Sequence, residues 1–63
     1  MKQSAVKPKF KIGDNVRDIG SFFVGYVVAV FMISTGEWRY VVENDTIIGV
    51  VMIFRGTQLE KMK

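Results

Sequence analysis

The chain has 63 residues, room for one domain, and its composition of 49% apolar against 24% charged residues describes a foldable sequence rather than a disordered one. It contains no cysteine and no histidine, which excludes disulfides, thiolate zinc sites, and the commonest general base and metal ligand. Net charge is +3, from nine Lys/Arg against six Asp/Glu, a balance that permits contact with phosphate-bearing ligands or nucleic acid. A chain this short buries a modest share of its surface, and with disulfides and the usual metal ligands absent, oligomerisation is the remaining way to add stability.

Residues 1–9 are polar, carry Pro8 and keep no hydrophobic period, so they read as a flexible basic arm ahead of a folded domain spanning 10–63. Phe10 anchors the start of that domain, and Gly13-Asp14 marks a turn into a first strand over Asn15–Ile19, with Val16 and Ile19 as the candidates to face inward. Gly20-Ser21 breaks the chain again.

Phe22 to Ile33 is twelve residues without a charge or an amide. Its β-branched content from Val24 to Val30 favours strand over helix. Strict alternation would place Val27, Ala29, Phe31 and Ile33 on one face and Tyr26, Val28, Val30 and Met32 on the other. Both faces are apolar, and one small core can cover only one of them. Gly25 marks a bulge, a bend or a close backbone approach. The run is shorter than the ~20 residues that cross a bilayer and no targeting signal is visible, so no membrane contact and a cytoplasmic location are expected.

Ser34-Thr35-Gly36 is a hairpin turn, and Glu37–Glu43 forms a third strand with Trp38, Tyr40 and Val42 on one face. Asn44-Asp45 turns the chain, and Val50–Phe54 is a fourth strand, again apolar on both faces. Arg55–Gln58 suits one 3₁₀ turn, and Leu59–Met62 supplies a short last strand. The expected fold is all-β: a small five-stranded SH3-like barrel with a 3₁₀ turn before the last strand, closed so as to hide its edges.

Gly13-Asp14-Asn15-Val16-Arg17, Gly20, Gly25, Val27-Val28, Tyr40-Val41-Val42-Glu43, Gly49–Phe54 and Leu59-Glu60-Lys61 together resemble the framework of the type II, plasmid-borne dihydrofolate reductases of trimethoprim resistance. The likeness covers roughly residues 10 to 62. It implies four barrels around a central pore lined by a Val-Gln-Ile-Tyr strand that holds NADPH and dihydrofolate, with a lysine near the first strand supplying charge. The matching positions here are Val51-Met52-Ile53-Phe54 and Asp18. Met52 in place of Gln removes an amide, Phe54 in place of Tyr removes a hydroxyl, and Asp18 in place of Lys turns attraction for phosphate into repulsion. The framework is kept while the polar reading groups are missing, so no cofactor and no catalytic residue is expected.

The surplus apolar surface points to self-association, as a dimer or tetramer, or to a protein partner, through Tyr26, Val28, Val30, Val51, Met52, Ile53 and Phe54. Ordinary core packing is the alternative for each. Lys7, Lys9, Lys11, Arg17, Arg39 and Arg55 are candidate nucleic-acid contacts, with Trp38 and Tyr40 able to stack on bases or to join the core; interleaved Asp14, Asp18 and Glu43 are equally what a solvated face carries. Asp14 reads as a cap for its own turn, and no carboxylates have metal-ligand spacing. The expected role is a small, non-enzymatic, self-associating binding or regulatory protein, of the size of phage or mobile-element accessory proteins. A reductase of the type II kind and a nucleic-acid-binding barrel are the alternatives.

Overall fold

A computed structural model describes residues 7–62, so positions 1–6 of the basic arm and Lys63 lie outside the described residues. The strands are β1 (Asn15–Asp18), β2 (Val24–Met32), β3 (Trp38–Asn44), β4 (Val51–Arg55) and β5 (Leu59–Lys61), with a single 3₁₀ turn, Gly56–Gln58, between the last two. All pairings are antiparallel.

Turn chemistry sets the hairpins. Gly13 adopts φ +98°, which only glycine takes without strain, and the Asp14 N–H donates to the Lys11 carbonyl at 3.0 Å. Between β2 and β3 the Ile33 and Glu37 backbones bond at 2.9 Å, and Gly36 supplies a φ of +89°. Between β3 and β4 the Asn44 side-chain oxygen accepts the N–H groups of Thr46 and Ile47, both at 2.8 Å. The Gln58 side-chain oxygen reaches back to the Arg55 N–H at 2.8 Å and closes the 3₁₀ turn.

Among the described residues the core is seven buried side chains: Phe10, Val16, Val27, Tyr40, Val42, Phe54 and Leu59, with Phe23, Val30 and Trp38 packed against them. Every element of the sheet contributes. Phe10 meets Tyr40 edge to face at 5.3 Å between ring centres, and Phe23 lies against Phe54 at 5.6 Å. The Lys9 N–H donates to the Tyr40 hydroxyl at 2.7 Å, which ties the segment before β1 to the middle of β3. Ile19 faces solvent instead of the core, because β1 ends at Asp18 and Ile19 already lies in the turn.

Two expectations are corrected. The sheet does not close into an SH3-like barrel: its order is β4-β3-β2-β1-β5, and β4 and β5 are its two ends. β5 is three residues long and pairs with β1 at Val16, Arg17 and Asp18, and among the described residues its other edge makes no pairing with β4. The second correction concerns the faces of β2. Val27 pairs with Val42 but Ala29 pairs with Val41, so Val28 is an extra, bulged residue. Beyond it the alternation flips: Val30, opposite Tyr40, joins the core side, while Ala29 and Phe31 join Tyr26 on the outer face. Gly25 is the close approach rather than the bulge, since a Cβ there would run into the Glu43 carbonyl.

Candidate functional site

The two ends and two faces of this sheet differ in chemistry. Residues opposite one another across an antiparallel pair project to the same side, so the pairing defines three cross-strand rows on the outer face. Phe31, Arg39 and Arg55 form the first row; Ala29, Val41 and Ile53 the second; Tyr26, Glu43 and Val51 the third. The middle row is wholly apolar. Ile53 is 59% exposed and Val51 48% exposed, and no other element among the described residues covers them.

Of the residues expected at an interface, Tyr26, Val51 and Ile53 lie on this outer face. Val28 is the half-buried bulge residue, and Val30 packs on the core. Met52 pairs with buried Val42 and therefore sits on the core side, 47% exposed at the rim because β4 is an edge strand. Phe54 is a core residue, 3% exposed, and presents no surface to a partner. Ala29 and Phe31 were missed because their face depends on the bulge at Val28; Val41 follows from the alternation of β3 alone and was not singled out. At the far end of the sheet Phe22 and Ile48, in the turns before β2 and before β4, are almost fully exposed, and the Asp45 N–H bonded to the Val24 carbonyl at 3.1 Å brings those turns side by side.

The opposite end carries a groove of about 420 Å³ lined by Lys7, Lys9 and Arg55, by the β3 residues Trp38, Arg39 and Tyr40, and by the turn residues Gly36, Glu37, Gly56 and Thr57. Four of the six expected nucleic-acid contacts meet there. Lys11 and Arg17 do not. Lys11 Nζ lies 3.9 Å from Asp14, and Arg17 binds Glu60 through two guanidinium nitrogens on the outer face of β1 and β5. Sequence reasoning missed Gly56 and Thr57 because the 3₁₀ turn comes to β3 only through the fold.

The carboxylates have local tasks. Asp14 accepts the Lys11 N–H at 3.0 Å and lies 3.7 Å from Lys61 Nζ; that backbone bond, aided by the two lysine charges, holds its carboxyl below the usual carboxylate range. Asp18 accepts the Gly20 N–H and the Ser21 hydroxyl, at 3.1 and 2.7 Å, so it caps the β1–β2 turn. Glu43 accepts the Gly49 N–H at 3.2 Å, and Glu37 pairs with Arg39 at 3.0 Å. Among the described residues no three acidic, histidine or cysteine side chains come close enough to hold a metal ion. No helix among them is long and apolar enough to cross a membrane.

No protein-family model matches the chain, and no curated protein matches it. The resemblance to type II dihydrofolate reductases is thereby overturned on two grounds: the sheet lacks the barrel closure on which that architecture rests, and no relative links the chain to that family. The Val51–Phe54 strand is an open edge, with Phe54 turned into the core.

Proposed function

We propose that this chain is a small self-associating binding module, and that the outer face of β2, β3 and β4 meets the same face of a second copy. The observation that carries this reading is the uncovered apolar row Ala29–Val41–Ile53, extended by Phe31, Tyr26 and Val51. Large apolar side chains rimmed by charge mark an association surface on a soluble domain. The core of the described residues, seven side chains, is small for an independent fold, so covering that face would add the stability that the chain has no disulfide to provide.

The charge pattern favours a second copy as the occupant. The arginines lie in the first row and Glu43 in the third. A two-fold axis along the middle row reverses the strands, lays the apolar row on itself and sets Arg39 of one copy against Glu43 of the other. Such a surface is self-complementary, as a closed two-fold interface requires. A standard interface of about 800 Å² per partner is roughly a fifth of the 4465 Å² that the chain exposes.

The role is binding rather than catalysis: with no histidine or cysteine in the sequence, neither the commonest general base nor a thiolate nucleophile is available. Sedimentation equilibrium from about 1 to 100 μM tests the reading. A dimer or larger species is expected for the wild type and a monomer for Ile53→Asp, which places a charge in the middle row. A wild-type chain that stays monomeric throughout overturns it.

A further inference from the structure

We infer that the open edge of β4 is a second contact between copies: it pairs antiparallel with the same edge of another chain, about a two-fold axis at Met52. The contact uses main-chain groups that lie in the plane of the sheet. It therefore leaves the outer face free, and both contacts can form in one assembly.

The hydrogen-bond parity of β4 carries the inference. In an antiparallel pair, residues whose main-chain groups face the partner strand alternate with residues whose groups face away. The Asn44 N–H donates to the Val50 carbonyl at 2.8 Å, which sets the phase. Val50, Met52 and Phe54 thus turn their N–H and C=O toward β3, and Val51, Ile53 and Arg55 turn theirs to the open side. The Arg55 N–H is already held there by the Gln58 side chain at 2.8 Å. Val51 and Ile53 each keep an N–H and a C=O that no other described residue meets.

These groups fix the register. Only residues that both face outward exchange bonds, and an axis at Met52 sets Val51 of each copy against Ile53 of the other. Every free group on both edges is then used. An axis at Ile53 would set Val51 against Arg55, whose N–H is taken. An axis at Val51 would set Ile53 against Gly49, whose N–H donates to the Glu43 carboxylate at 3.2 Å.

The side chains agree with that register. Met52 meets Met52 in the close, non-hydrogen-bonded position, which covers a side chain left half exposed at the sheet edge. Phe54 comes opposite Val50. Arg55, in no ion pair among the described residues, comes opposite Gly49 of the other copy, beside the Glu43 carboxylate that holds it. Nor is β5 an equal partner for β4: its Leu59 N–H is bonded to the Gly56 carbonyl, and Glu60 and Lys61 charge its short edge. Residues Val51 to Phe54 carry no charge.

Four main-chain bonds, each exchanged for bonds to water, hold two copies weakly against the freedom lost on association, so the pairing belongs above about 100 μM. A chain with its outer face blocked is thus a monomer below that range and still carries this edge.

Nuclear magnetic resonance on a mixture of ¹³C-labelled and unlabelled chains at about 1 mM tests the pairing, in wild type and in Val41→Asp. That variant charges the outer face from β3 and leaves β4 intact. A nuclear Overhauser contact between the Met52 α-proton of one copy and that of the other is expected, since the register brings them closest. Amide exchange at Val51 and Ile53 is expected to slow at least about fivefold between about 50 μM and 1 mM, with Arg55 unchanged. A synthetic chain N-methylated at Ile53 loses a donor that has no task within one copy, so it is expected to keep its circular dichroism and lose both signals.

No Met52 contact at that concentration overturns the proposal, as do a contact centred on another residue, protection of Lys61 in place of Val51, or undiminished pairing of the N-methyl chain. The two interfaces fail separately. A wild-type dimer whose Val51 and Ile53 amides exchange freely keeps the outer face and removes the edge. A chain that sediments as a monomer up to 100 μM yet shows the Met52 contact at higher concentration keeps the edge and removes the face.

Discussion

A side chain at Gly25 would collide with the backbone carbonyl of Glu43 on the neighbouring strand, and next with the Val42 methyl group. The obstacle is main chain, which cannot rotate away, at the point where β2 also faces Val16 of β1. Gly25→Ala is therefore expected to cost about 3 kcal/mol or more, at or beyond the upper end of ordinary overpacking. Urea unfolding followed by circular dichroism measures this. A midpoint equal to wild type would show that β2 and β3 separate there without penalty.

The bond from the Lys9 N–H to the Tyr40 hydroxyl is the tie between the segment before β1 and the middle of the sheet. Tyr40→Phe keeps the ring, and hence its edge-to-face contact with Phe10, while deleting the acceptor. The expected loss is about 1 kcal/mol, the usual net worth of one such bond. Hydrogen exchange at the Lys9 amide is expected to quicken beyond what that global loss explains. Unchanged protection at Lys9 would mean that the segment is held by Phe10 alone.

Asp14 gives the pH dependence its sign. The Lys11 N–H stabilises its ionised form, with the charges of Lys61 and Lys11 adding to the effect, so its pKa is lower in the folded chain than in the unfolded one. A lowered carboxyl contributes stability that is complete above the unfolded value of about 3.9 and disappears as pH falls through the lower, folded value. Wild type and Asp14→Asn should therefore differ by a constant amount from about pH 5 to 8, with wild type more stable. The gap is expected to narrow as pH drops below about 4. A gap that widens on acidification would reverse the assignment.

The strands and turns were legible in the sequence because each is written locally: β-branched runs for β2 and β4, Gly13 and Gly36 where positive φ is required, and Asn44 where a side chain caps a turn. Closure was not legible. It depends on whether the far edge of β4 meets β5, and Arg55–Gln58 reads the same whether it leads to that contact or away from it. The bulge at Val28 was equally silent, since nothing in a run of valines marks the extra residue, yet it reverses the face of everything after it. Thus strict alternation turns Val30 outward and Phe31 to the opposite side, the reverse of what the fold shows. The groove was half legible: the cations and aromatics were named singly, but Lys7 and Thr57 are fifty positions apart in the chain, and only the fold joins them.

The proposed two-fold pairing of the outer face makes a charge-exchange prediction. With strands reversed about the Ala29–Val41–Ile53 row, Glu43 of each copy faces Arg39 of the other. Glu43→Arg then sets two guanidiniums against one another at each end of the interface, and like charges so placed cost several kcal/mol. Association is expected to weaken by a factor of about ten or more. The further change Arg39→Glu restores opposite charges across the axis, so the double variant is expected to recover most of the association. Within one chain Glu43 also accepts the Gly49 N–H, and Arg39 also pairs with Glu37, losses that the double variant does not repair. Recovery in sedimentation equilibrium would consequently report the contact between copies, not the integrity of either one. A double variant no better than Glu43→Arg alone, with circular dichroism unchanged, would remove this arrangement while leaving the apolar row to pair by another axis.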